Sequence, residues 1–293
     1  MAPSLIEDTW TGEDVSIAQI ERELARLRDA TSEGGSQPNL RTSVMTHLAW
    51  VPPSWLEFAE STLLGMAERH PSRTIIMVPR SEEPDGLDAQ LSIRCFPIGD
   101  RAVCGEVIEL TLRGNRAVAP ASIVAPLLIS DLPVFCRWRG EPPFGAAEFE
   151  QLVGVADRLV VDSTEWESLP GAYARLAELF EQTAVSDIAW ARTERWRALL
   201  ASLWPDVAGV RRLRVHGTLA QGHLLAGWLR SRLGHEVELE VDERERLEGI
   251  DLDGSAAPFP PGDPPHPSDV LSAELDRFTR DPIYEAAARA AAT

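Results

Sequence analysis

Three consecutive pieces decide the fold class: LPVFCRW (Leu132–Trp138), GAAEFEQLVGVA (Gly145–Ala156) and RLVVD (Arg158–Asp162). The first and last are short, apolar and rich in β-branched or aromatic side chains, as buried strands are. The middle piece reads as a helix. Strand, helix and strand in that order suit a parallel sheet covered by helices.

Working outward, the same alternation continues. Upstream, Ser16–Ala30 is an amphipathic helix, with Ile17, Ile20, Leu24 and Leu27 at helical spacing. Leu40–Val51 reads as a strand stopped by Pro52-Pro53, and Ser54 with Glu57 predicts a capping box opening a helix to about Arg69. Arg73–Arg80, Gln90–Ile98 and Cys104–Arg113 read as strands, and Ala119–Ser130 as a short buried helix. Downstream, Pro170–Thr183 and Asp187–Trp204 are helical, and Val210–His216 is a strand. Thr218 and Gln221 form a second capping box before a helix to Leu233. Glu236–Val241 alternates Glu with Val and Leu, so one face must be wet and the strand belongs at or near an edge. Six prolines in Gly254–Ser268 predict an extended surface segment, followed by helices over Asp269–Thr279 and Ile283–Ala292.

The expected class is therefore α/β: two lobes with mainly parallel or mixed sheets flanked by helices, and a C-terminal helical segment. Expected boundaries are 1–38 for the N-terminal helix and loop, 39–164 and 165–253 for the two α/β domains, and 254–293 for the proline-rich linker and terminal helices.

Composition narrows the chemistry. The 293 residues carry a formal charge of −18, which opposes phosphate-backbone binding, so nucleic acid is not expected as a partner. No apolar run is long enough to span a membrane, and the amino terminus is acidic, which predicts a cytoplasmic protein. All 28 basic side chains are Arg, which removes lysine Schiff-base and P-loop lysine chemistry. Cys95, Cys104 and Cys136 sit in apolar stretches and are expected to be reduced core thiols. Neither a metal nor a cofactor is expected. The common nucleotide, hydrolase and metalloprotease motifs are absent from the sequence.

Four places hold candidate chemistry. Arg41, Thr42, Ser43, Thr46 and His47 combine a guanidinium, hydroxyls and an imidazole, a set that suits phosphate or carboxylate. Pairing with a core carboxylate and with the backbone is the competing structural role. Arg73 joins Arg41 if their strands are neighbours. At His216-Gly217-Thr218 a helix amino terminus either meets an anion or is simply capped by Thr218. Asp131 and Asp162–Glu165 stand at strand ends, where catalysis and capping compete. Among nine tryptophans, Trp10 in the acidic amino-terminal arm and the Trp138-Arg139 pair are candidate protein contacts.

The run Arg41–Pro53 resembles the signature stretch of the OpcA family, the glucose-6-phosphate dehydrogenase assembly proteins of actinobacteria and cyanobacteria. The similarity continues through His70–Ile75, Glu106–Gly114, Leu127–Phe135, Ala156–Ser163, Leu224–Leu229 and Asp281–Glu285. It implies a non-catalytic partner of glucose-6-phosphate dehydrogenase, an assembly factor or allosteric activator that supports NADPH production in the oxidative pentose phosphate pathway. The Arg-only composition fits an actinobacterial source. Cyanobacterial relatives are linked to redox control through cysteines, which the expected core thiols do not suit. The alternative is an α/β enzyme or binding protein that holds a sugar phosphate or nucleotide through Arg41, His47 and Arg73.

Overall fold

A computed structural model describes residues 5–33, 39–40, 43–59, 71–98, 101–263 and 265–292. The chain divides into two compact units, Met1–Leu159 and Val160–Thr293.

The first unit is built on a mixed sheet. Its strands are β1 (Leu5–Gly12), β2 (Asn39–Leu40), β3 (Thr46–Trp50), β4 (Arg73–Arg80), β5 (Gly86–Ile98), β6 (Arg101–Arg113) and β7 (Val134–Trp138). Within this unit the order is β1-β5-β6-β4-β3-β7, with β2 also paired to β6. β6, β4, β3 and β7 run parallel, while β5 and β1 add antiparallel. Every residue of β3 and β7 is buried, as expected for parallel strands covered on both faces. Helix α1 (Ile17–Glu33) lies on β5 and buries Ile20, Leu24 and Leu27. Short helices α2 (Asn115–Val118) and α3 (Pro120–Val124), then α4 (Ala147–Val155), also belong to this unit.

Several expectations change here. The acidic arm bearing Trp10 is β1, registered against β5 with Trp10 opposite Leu91. The strand expected from Leu40 is two pieces, and β3 begins only at Thr46. The turn at Pro53–Trp55 opens at Pro52 with no side-chain cap, and the helix expected after it lies outside the described residues beyond 59. Cys95 and Cys104 are not free thiols: they stand opposite each other across β5 and β6 and are joined as a disulfide. The two strands were foreseen but their antiparallel pairing was not, and that pairing brings the two sulfurs together. Cys136 is free and buried, and burial pushes its thiol up to about 12.

Glu106 on β6 is registered opposite Arg73 on β4 and binds two guanidinium groups, Arg28 Nε at 2.5 Å and Arg73 Nε at 2.8 Å. Burial works against its charge, yet the hydrogen bond from Arg28 and the charges of Arg73 and Arg28 outweigh it and hold the carboxyl below its usual range. Glu106→Ala leaves two arginines facing each other. It is expected to lower stability by roughly 1–2 kcal/mol in urea unfolding, less than a fully buried pair because water reaches the rim.

The second unit holds β8 (Arg158–Val161), which spans the division, with β9 (Ala184–Asp187) beside it. A four-stranded sheet follows, of order β11-β10-β12-β13: β10 is Arg212–Gly217, β11 Glu238–Glu243, β12 Gly249–Leu252 and β13 Ser255–Ala256. β11 is parallel to β10 and lies at the edge, with Glu238 and Glu240 exposed. The helices are α5 (Gly171–Leu179), α6 (Ile188–Arg192), α7 (Glu194–Ser202), α8 (Leu219–Leu233), α9 (Pro267–Leu275) and α10 (Pro282–Ala291). The expected capping box forms at the start of α8, and Gly234, at φ +70°, closes its other end. The single helix expected over Asp187–Trp204 is broken at Thr193, whose hydroxyl donates to the Trp190 carbonyl at 2.7 Å. α10 packs against both α8 and α5.

Candidate functional site

The residues singled out around β3 are mostly interior. Arg41 and Thr42 lie outside the described residues, and Ser43 is half-buried just before β3. Thr46 and His47 are fully buried, and the Thr46 hydroxyl accepts the Ile129 N–H at 3.4 Å. β3 and β4 are neighbours, with Thr46 opposite Arg73. Arg73 is committed: beyond Glu106 it donates to the Leu127 carbonyl at 2.6 Å. Trp138 is buried and stacks on Trp50, its registered partner, at 4.9 Å between ring centroids. The Arg139 guanidinium lies 4.5 Å from the Trp55 ring centre and 4.8 Å from that of Phe58. These side chains serve the packing of the first unit.

The second unit holds a polar cluster that spacing could not assemble. Asp162 ends β8 and caps the turn Ser163–Glu165, accepting from the Thr164 N–H at 3.2 Å and its hydroxyl at 2.6 Å. Arg192, at the end of α6, pairs with Asp162 at 2.9 Å. Asp187 ends β9 and caps α6. Its Oδ1 accepts from Ala189 N–H at 2.9 Å and Ser163 N–H at 3.0 Å, and its Oδ2 from the Ser163 hydroxyl at 2.6 Å. Tyr284 of α10 reaches the same oxygen at 3.4 Å, and Tyr173 of α5 lies 2.9 Å from Ser163 Oγ.

Serine, carboxylate and tyrosine together have the composition of a nucleophile site. Ser163, Asp187, Tyr173 and Tyr284 are all fully enclosed, however, so the cluster ties β8, β9, α5 and α10 together rather than facing a substrate. Burial, aided by the nearby Asp162 charge, pushes the Asp187 carboxyl up to about 7 against the opposing donations from Ser163 and Ala189. Asp281 caps α10 through Ile283 and Tyr284 N–H, and accepts from Trp190 Nε1 at 3.1 Å. The segment Asp281–Glu285 thus sets the Tyr284 ring in place.

On β10, His216 sits between Asp242 of β11 at 3.0 Å and Asp251 of β12 at 3.2 Å. Hydrogen bonds to Asp242 and then Asp251 raise its pKa, and the ring links three strands. Among the described residues no group of three or more His, Cys, Asp or Glu is arranged to hold a metal ion, and no helix is long and apolar enough to cross a membrane.

Two family models match in tandem. One, described as the glucose-6-phosphate dehydrogenase subunit N-terminal domain, covers residues 65–178. The other, the corresponding C-terminal domain, covers residues 183–258. Three cyanobacterial proteins, each named "Putative OxPP cycle protein OpcA", are similar. That of Nostoc punctiforme is 32% identical over 57% of this chain and 39% of its own length. That of Synechocystis sp. is 28% identical, over 57% and 38%. That of Synechococcus elongatus is 26% identical, over 68% and 50%. The matched region thus spans half or less of these relatives. With both domain models met in order along one chain, this protein belongs to the OpcA family.

Proposed function

We propose that this chain acts on glucose-6-phosphate dehydrogenase as an assembly factor or allosteric activator, without catalysis of its own, and so supports NADPH production in the oxidative pentose phosphate pathway. The observation that carries this reading is the tandem match to two domains described as parts of a glucose-6-phosphate dehydrogenase subunit. The enclosure of the Ser163–Asp187 cluster agrees with a role in binding rather than turnover. Cytoplasmic residence belongs to the same proposal, since the partner's substrates are soluble metabolites.

An effector changes an enzyme only by favouring one of its states, so it needs a surface that contacts those states differently. Trp204, 65% exposed after α7, is a candidate anchor on the surface of the second unit. It borders an apolar groove of about 290 Å³ with Leu200, Trp228 and Leu233. In the first unit, the segment from Arg41 to the exposed Val44 is a second contact candidate.

The test is a titration of the dehydrogenase with this chain, followed by NADPH formation and co-elution on gel filtration. Changed kinetics and a joint peak are expected, with Trp204→Asp weakening the complex by at least about tenfold. Unchanged kinetics with separate elution overturns the proposal.

A further inference from the structure

A second, larger cavity in the Val160–Thr293 unit opens between α7, the amino end of α8 and the proline-rich segment, and has a volume of about 660 Å³. That size is ordinary for small-molecule sites. One wall is aromatic: Trp196 of α7 and Phe259 stand 5.7 Å apart between ring centroids. Arg195 secures the proline-rich rim by donating to the carbonyls of Pro260 at 3.1 Å, Pro261 at 2.5 Å and Gly262. The lining also carries Arg192, Arg246 and Gln221.

The donors of these three side chains are not all used among the described residues. Gln221 is 2% exposed, and its Oε1 is committed to the capping box, where it accepts the Thr218 N–H at 3.2 Å. Its Nε2 has no partner among the described residues, although Gln221 lines the cavity. That amide N–H is held in place by the cap its other atom makes, so it is a fixed donor for an oxygen that enters the cavity. Arg192 binds Asp162 and Thr164 through Nη1, and its Nε and Nη2 have no partner among the described residues. Among the described residues Arg246 reaches only Glu248, at 3.4 Å, a surface pair that is weak in water. The amino end of α8 adds positive potential.

We propose that this cavity binds a nucleotide, with the base against Trp196 and Phe259 and the phosphate held by Gln221 Nε2, Arg192 and Arg246. Flat rings stack on aromatic walls, and guanidinium groups with a fixed amide donor match phosphate oxygens. An arriving phosphate displaces Glu248 from Arg246.

Isothermal titration calorimetry of the whole chain with adenosine 5′-monophosphate tests this, alongside adenosine and inorganic phosphate separately. The monophosphate is expected to bind at least about tenfold more tightly than either half. Gln221→Glu keeps the cap, since Glu is equally suited to that position, but sets a carboxylate against the phosphate. It is expected to weaken binding by at least about tenfold, as is Arg246→Ala at an exposed position, while Glu248→Gln tightens it. No binding of the monophosphate overturns the proposal, as does binding that ignores all three substitutions or is matched by phosphate alone. The dehydrogenase is absent from the measurement, so its outcome is independent of the assembly role.

Discussion

Asp187→Ala is expected to lower the stability of the Val160–Thr293 unit by about 3–5 kcal/mol, enough to unfold it at moderate temperature. The truncation leaves the Ser163 N–H, the Ala189 N–H and the Tyr284 hydroxyl facing a gap with no acceptor, and the Ser163 hydroxyl with Tyr173 in place of a carboxylate. Each orphaned donor in a dry interior costs about 1–3 kcal/mol, and the losses are less than additive because Ser163 Oγ keeps its contact with Tyr173. A lost helix cap contributes about 1 kcal/mol of this.

The same side chain sets a pH dependence whose sign follows from its environment. Its folded pKa, about 7, stands above the ordinary 3.8. The folded state therefore holds the proton more tightly than the unfolded chain does. The resulting stability is complete below pH 3.8 and is lost as pH rises to about 7. Between pH 5 and pH 8 the loss amounts to roughly 2–3 kcal/mol. Asp187→Asn cannot titrate and lacks this slope, so urea melts of both proteins at the two pH values isolate it. Parallel slopes for the two would show that Asp187 is ionised throughout.

What the sequence disclosed about this molecule was local. Thr218 and Gln221 lie within four residues of each other, so their capping box could be read directly, as could the wet face of Glu238 and Glu240 at the sheet edge. The strand–helix–strand run ending at Asp162 was legible for the same reason: burial on both faces writes continuous apolar strands. The Asp187 cluster draws on residues 162, 163, 173, 187 and 284, from four elements whose meeting is a tertiary event. No periodicity encodes it. β1 was hidden because Glu7, Asp8 and Thr9 are polar, and only pairing with β5 makes them a strand. The bridge between Cys95 and Cys104 depends on a register set by the antiparallel pairing of β5 and β6, not by their composition. Trp138 and Arg139 read as surface anchors because Trp and Arg are frequent at interfaces. Trp138 is buried because β7 is covered on both faces, and Arg139, just after the strand, lies against the Trp55 and Phe58 rings.

Register and close approach also decide the second large effect, at Gly227. Glycine inside a helix ordinarily costs about 1 kcal/mol relative to alanine, so Gly→Ala in α8 should stabilise the protein by that amount. At Gly227 the sign reverses. An added Cβ would strike the Ala287 carbonyl oxygen and come within 2.7 Å of Ala291 N and 3.0 Å of Ala291 Cβ, all on α10. Two of these three atoms are backbone, which no rotamer change can move. α10 must shift outward as a body, and it carries Tyr284 out of reach of Asp187. We expect Gly227→Ala to destabilise by about 2–4 kcal/mol net, and Gly227→Val by more, measured by urea unfolding followed by circular dichroism. Gly154, inside α4 with nothing within 4 Å of its would-be Cβ, supplies the contrast: Gly154→Ala should stabilise by about 0.5–1 kcal/mol. If Gly227→Ala stabilises as Gly154→Ala does, α10 does not sit against α8 at this distance. The link between helix packing and the buried Asp187 cluster then fails with it.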